Sequence, residues 1–121
     1  MGKPEKLKKI RTALAQEQNW LCHYCDSPMW DSDPAVFLRR HHVPKGLLNR
    51  FQCTAEHLRP KQDGGKDIPE NIVAACKFCN QTRHKRRSAQ PPETYRQHVQ
   101  KRVKAGKWHP LKIHRLTITV G

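Results

Sequence analysis

Residues 54 to 87 read TAEHLRPKQDGGKDIPENIVAACKFCNQTRHKRR, and this stretch decides what the chain can become. It holds an acid–histidine pair, Glu56-His57, and a Gly64-Gly65 turn. Asn71 stands before an apolar run, and Cys76-Lys77-Phe78-Cys79-Asn80 follows it. Phe51 to Leu58 reads as a strand, with Phe51, Cys53, Ala55 and His57 on one face and Gln52, Thr54 and Glu56 on the other. Pro60 ends it, and Lys61 to Glu70 is a polar loop in which the glycines supply backbone freedom. Ile72 to Ala75 reads as a second strand, and a helix is predicted from near Cys79 through Arg86. The unit is two short strands and a helix joined by a cysteine turn.

Working upstream, Leu21-Cys22-His23-Tyr24-Cys25-Asp26 is a second turn of the same Cys-x-x-Cys kind. Such a pair can be a redox couple, but that requires a surrounding βαβ pattern, which is missing. Cys22, Cys25, Cys76 and Cys79 together make a closed tetrahedral Zn²⁺ site of structural type. Cys53 has no partner at this spacing and reads as a small buried hydrophobe. Pro4 to Asn19 is predicted helical, with Leu7, Ile10, Arg11, Leu14 and Ala15 on one face. Between the cysteine turn and the strand, Pro28 to Pro34 is a loop and Ala35 to Leu38 a short strand. Arg39-Arg40-His41-His42 follows as surface or phosphate contact, because adjacent strand side chains diverge and the two histidines cannot easily share an ion. Downstream, Ser88 to Pro92 is a linker, Glu93 to Ala105 a helix stopped by Gly106, and Leu111 to Val120 a bulged strand. No internal repeat is visible.

The chain of 121 residues fits one domain, divided as an N-terminal helix (1–21), a metal-bound core (22–87) and a C-terminal helix and strand (88–121). Only 36% of it is apolar, so the core is small and a metal staple is expected. The formal charge is +14, from 24 Lys and Arg against 10 Asp and Glu. Those cations are spread along the chain and not gathered on one amphipathic helix, which argues against a membrane surface and for a polyanion such as nucleic acid. No run is long enough to span a bilayer and no apolar leader opens the chain, so a cytoplasmic protein with reduced thiols is expected.

The chemistry concentrates at the ends of the two predicted strands. Glu56 and the Asn80 side-chain carbonyl offer two oxygens to a hard divalent ion. His57 points away from its neighbour and is free to take a proton from water. His84 shares a helix face with Asn80. A carboxylate beside a phosphate opposes binding unless a cation intervenes, which favours catalysis over plain binding.

This ordered set resembles the HNH, or ββα-metal, endonucleases: an acid–His pair (Glu56-His57), Pro60, Gly64-Gly65, Asn71, an apolar strand, then Cys-x-x-Cys-Asn ending at Asn80. Cys22-His23-Tyr24-Cys25 matches the additional zinc turn that many members carry, and Met29 to Arg50 is an unmatched insert. The resemblance implies an α+β, treble-clef-like ββα-metal core stapled by a four-cysteine zinc site. Flanking N- and C-terminal helices and a C-terminal strand complete the fold. It implies DNA as partner and an H-N-N variant of the motif. His57, Asn71 and Asn80 are then the catalytic positions, His57 as the general base and Asn71 as the hydrogen-bonder that holds the loop and the backbone around it. Glu56, Asn80 and His84 hold a catalytic divalent ion (Mg²⁺ or Mn²⁺, with Ni²⁺ and Zn²⁺ also compatible). Arg59, Lys61, Arg83, Lys85 and Arg86 are expected on DNA phosphates. The competing reading is a zinc-ribbon module that binds nucleic acid without cutting it. RNA ranks below DNA, because the stretch has no aromatic platform for bases. Monomer and homodimer are equally compatible with the sequence.

Overall fold

The computed structural model describes residues 2–110. Its centre is an antiparallel pair, β1 (Cys53–His57) and β2 (Ile72–Cys76), in the register Cys53↔Cys76 through His57↔Ile72. The helices are α1 (Lys3–Glu17), α2 (Pro34–His41), α3 (Lys77–Arg83) and α4 (Pro92–Lys104). The architecture is the expected α+β unit: β1, β2 and α3 in succession, flanked by α1 and α4. The strand expected over Leu111 to Val120 lies outside the described residues. Among those described, no helix is long and apolar enough to cross a membrane.

Each element follows from local chemistry, with three corrections to the sequence reading. α1 ends where Asn19 and Trp20 adopt left-handed backbone, at φ 56° and 59°. β1 is shorter than Phe51 to Leu58, because Phe51 closes a 3₁₀ turn (Lys45–Phe51) and only Cys53 onward pairs with β2. α3 starts at Lys77, earlier than expected, since Cys76 caps it by accepting from the Cys79 N–H; it stops at Arg83. Ala35 to Leu38 belongs to a helix and not to a strand. Asp33 caps α2 through the Val36 N–H, and Pro34 stands in its first turn, where its missing N–H costs nothing.

The main core joins Ala15 of α1, Tyr24, Met29, Ala74 and Ala75 of β2, Tyr95 and Val99 of α4, and the buried cysteines. Cys53 packs there, and burial pushes its thiol up to about 12. The insert forms a satellite cluster of Phe37, Val43 and Phe51, with Trp30, Leu47 and Leu48 against it. Two polar devices lock helices onto this frame. The Gln18 amide pairs with both the N–H and the carbonyl of Ala74, occupying β2's open edge as a neighbouring strand would. From α4, Arg96 and Gln100 bind the Tyr24 carbonyl and Asp26, holding the first cysteine turn in place.

Candidate active site and metal centre

β2 delivers Cys76, and the first turn of α3 delivers Cys79. The loop after α1 delivers Cys22 and Cys25. All four are buried, and their sulfurs lie within 4.8 Å of one another. The Cys25 and Cys76 sulfurs are 3.8 Å apart. Tetrahedral Zn–S bonds of about 2.3 Å set sulfurs about 3.8 Å apart, so the cluster fits a structural metal such as zinc. Backbone N–H groups of Tyr24 and Cys76 donate to the Cys22 sulfur at 3.4 and 3.2 Å. Burial raises the Cys22 thiol, but hydrogen bonds from Cys25, Cys76 and Cys79 outweigh it and bring it well below the ordinary cysteine range. Burial leaves Cys76 and Cys79 well above it. A divalent ion is what lets all four sulfurs carry charge together.

The outer cover of this cluster comes from residues the sequence reading did not single out. Trp108 Nε1–H donates to the Cys79 sulfur at 3.2 Å. His109 is buried, its Nε2 lying 3.6 Å from the Cys25 sulfur and 3.7 Å from that of Cys76. Arg50 donates to His109 Nδ1 and to the Trp108 carbonyl, and lies 3.6 Å over the Phe78 ring. No cysteine-type spacing announces this cover, which begins 29 residues after Cys79.

The second constellation forms a pocket of about 290 Å³, lined by Glu56, His57, Pro60, Lys61, Gln62, Asn80 and His84. The end of β1 and the exposed side of α3 thus bring Glu56, His57, Asn80 and His84 together. Glu56 is fully buried. Its Oε2 accepts from Tyr24 Oη and Arg83 Nη1, both at 3.0 Å, and its Oε1 lies 2.7 Å from His84 Nε2. Burial, reinforced by the Glu56 charge, raises the Tyr24 hydroxyl, so it stays a donor. Asn80 Nδ2 donates to Thr54 Oγ1 and the Ala55 carbonyl, which leaves Oδ1 as its ligand atom.

His57 diverges from Glu56, as neighbouring strand residues must, and its Nε2 lies 2.7 Å from Asp67 Oδ1. The hydrogen bond with His57 holds the Asp67 carboxyl below the usual range, with Lys61 adding to the effect. Asp67 was not anticipated; it follows Gly65 by two residues, and the only signal was its place in the glycine loop. Asn71 staples that loop. Its Oδ1 accepts from the Arg59 N–H at 2.8 Å, and its Nδ2 donates to the carbonyls of Arg59 and Lys66. The packing is so close that a Cβ on Gly65 would stand 1.7 Å from the Arg59 carbonyl oxygen. Asn71 therefore faces backbone and not the pocket.

The expected phosphate-binding cations divide into two groups. Arg59, Lys61, Lys85 and Arg86 are exposed, and Lys61 lines the pocket. Arg83 is not available: it is 2% exposed. Its five N–H donors meet Glu56, the carbonyls of His57 and Leu58, and the Gln90 carbonyl twice. No donor remains for a phosphate.

The donor set of the pocket also fits a hard divalent ion. Glu56 Oε1 and His84 Nε2 are close enough that they could share a cation in place of a proton, and Asn80 lines the same pocket. The family model for HNH endonucleases matches residues 22–86. No curated protein and no solved structure matches the chain.

Proposed function

This chain belongs to the HNH endonuclease family, and from that premise we propose that it is a metal-dependent endonuclease that hydrolyses phosphodiester bonds of DNA. The observation that carries the reading is the His57–Asp67 contact of 2.7 Å beside a pocket shared by Glu56, Asn80 and His84. With Nε2–H given to Asp67, His57 keeps its lone pair on Nδ1, the atom that takes the proton from water. Asp67, its carboxyl held low, fixes the ring and stabilises the imidazolium that forms. Glu56, Asn80 and His84 would hold the divalent ion, which when bound would supply electrostatic stabilisation of charge on the phosphate and leaving oxygen. Arg83 and Tyr24 hold Glu56 through Oε2, which leaves Oε1, beside His84 Nε2, for the ion. Lys61 is placed to hold a neighbouring phosphate, with Arg59, Lys85 and Arg86 extending the cationic surface. A structural zinc on the four cysteines ties the first cysteine turn to β2 and α3.

A zinc-ribbon module that only binds nucleic acid has no use for this carboxylate, imidazole and amide grouping, and family membership does not favour it. The test is conversion of supercoiled plasmid, with Mg²⁺ or Mn²⁺ and without, by wild type and His57→Ala. Removing a general base lowers rate by about 10²–10⁴-fold. We expect nicked or linear product from wild type with metal, and a loss of that size in His57→Ala with zinc content unchanged. Gel retardation without cutting under any divalent ion would overturn the reading. Equal cutting by His57→Ala would remove His57 from the role of base.

A further inference from the structure

α3 separates two pockets. Asn80 and His84, four residues apart, face the one just described. Phe78 and Thr82, also four apart, line the other. Helix positions two residues apart point about 200° away from each other, so the pockets flank the helix. The second has a volume of about 630 Å³. Its polar lining is Arg50, Thr82, His98, Arg102, Lys107 and His109, and among the described residues no carboxylate contributes to it.

The two kinds of cation there behave differently. Arg50 is committed to His109 and Trp108 and packed over Phe78, so it gives the pocket a fixed charge. Arg102 and Lys107 are exposed and form no ion pair among the described residues. They are brought together by the end of α4. Gly106, at φ 69°, turns the chain back, and the Lys107 N–H closes onto the Arg102 carbonyl at 2.8 Å. Two exposed cations, one fixed cation and a hydroxyl, with no acid lining the pocket among the described residues, make a site for a phosphate group.

We propose that this pocket holds a backbone phosphate of the same DNA whose scissile bond occupies the pocket at His57. The identity of the polyanion rests on the nuclease reading; the cationic pocket itself does not. A helix is about 10–12 Å across, and B-DNA rises about 3.4 Å per nucleotide on each strand, so the second phosphate lies a few nucleotides from the cut. Cleavage then depends on substrate length: a duplex bridges both pockets, and a small phosphodiester reaches only one.

The test is the double variant Arg102→Ala/Lys107→Ala in the full chain, beside a control, Lys8→Ala/Lys9→Ala, that removes two exposed cations from α1. A fluorescent duplex of about 30 base pairs, long enough to cover both pockets, is titrated by anisotropy across salt, without catalytic metal. Hydrolysis of bis(p-nitrophenyl) phosphate is followed with Mg²⁺ or Mn²⁺. Zinc content confirms the fold. We expect the slope of log K against log salt to fall by about 2 and duplex affinity by about tenfold, with p-nitrophenolate release unchanged. The control keeps the wild-type slope. A double variant with wild-type slope and affinity, or a control that loses as much, overturns the pocket. If wild type with metal hydrolyses neither this diester nor supercoiled plasmid, the nuclease reading fails, while the anisotropy series still decides the phosphate site.

Discussion

Replacing Arg83 by methionine separates a buried structural cation from a phosphate-binding one. The change removes the charged partner of a fully buried carboxylate and the donors to the carbonyls of His57, Leu58 and Gln90. Tyr24 and His84 still touch Glu56, but only Arg83 brings a permanent charge. Breaking a buried pair by removing one partner costs about 3–5 kcal/mol, because the other charge is stranded in low dielectric. That is a large share of the roughly 5–15 kcal/mol that keeps a domain folded. At a urea m-value of about 1.5 kcal/mol per molar, the midpoint falls by about 2–3 M. The assay is urea unfolding by circular dichroism with saturating zinc. Arg83→Met/Glu56→Gln should be less destabilised than the sum of the single changes, since the second substitution removes the stranded charge. Duplex binding is measured at a denaturant-free point where the variant is still folded. An Arg83→Met protein with a wild-type midpoint and weakened DNA binding would refute this reasoning and return Arg83 to the phosphate backbone.

Asp67→Asn should lower the rate of plasmid cleavage by about 10–100-fold with little change in KM, because it keeps the shape but loses the charge that steadies the imidazolium. Since the folded-state carboxyl of Asp67 is held below its unfolded value of about 3.9, its stabilising contribution is complete above that value. It is lost as pH falls through the folded value. The stability difference between wild type and Asp67→Asn should therefore be lost in acid as the carboxylate protonates, which unfolding curves at several pH values will show. Removing the metal from the cysteines with a strong chelator should unfold the domain as a unit, read as loss of helical dichroism that Zn²⁺ restores and Mg²⁺ does not.

Much of this was legible in the sequence. The paired cysteine turns announced one cluster because metal–thiolate geometry demands fixed spacing. Asn71 was expected to hold a loop, and its side chain bonds only backbone. The helix expected from Glu93 to Ala105 is α4, which buries Tyr95 and Val99 and packs a half-buried Val103 against the same core. Arg83 was expected on a DNA phosphate because a lone arginine in a basic run is read one residue at a time. Glu56 and Arg83 are buried only because each neutralises the other across 27 residues, and nothing local encodes that. The His57–Asp67 contact depends on the path of the glycine loop, which composition does not fix. α2 was missed for a different reason: Asp33-Pro34 is a helix start, and the apolar run behind it drew the strand assignment instead.

The four-sulfur cluster also imposes an order of events on the newborn chain. Cys25 emerges from the ribosome 51 residues ahead of Cys76. At synthesis rates of about 5–20 residues per second, the first cysteine pair waits about 3–10 s for the second. During that interval a nascent chain presents two thiols and an uncovered apolar turn, with no strand pair to dock on. The vulnerable species is thus a translation intermediate. Zinc shortage or oxidation in that interval would add a loss during translation to the one that metal removal causes in the folded protein.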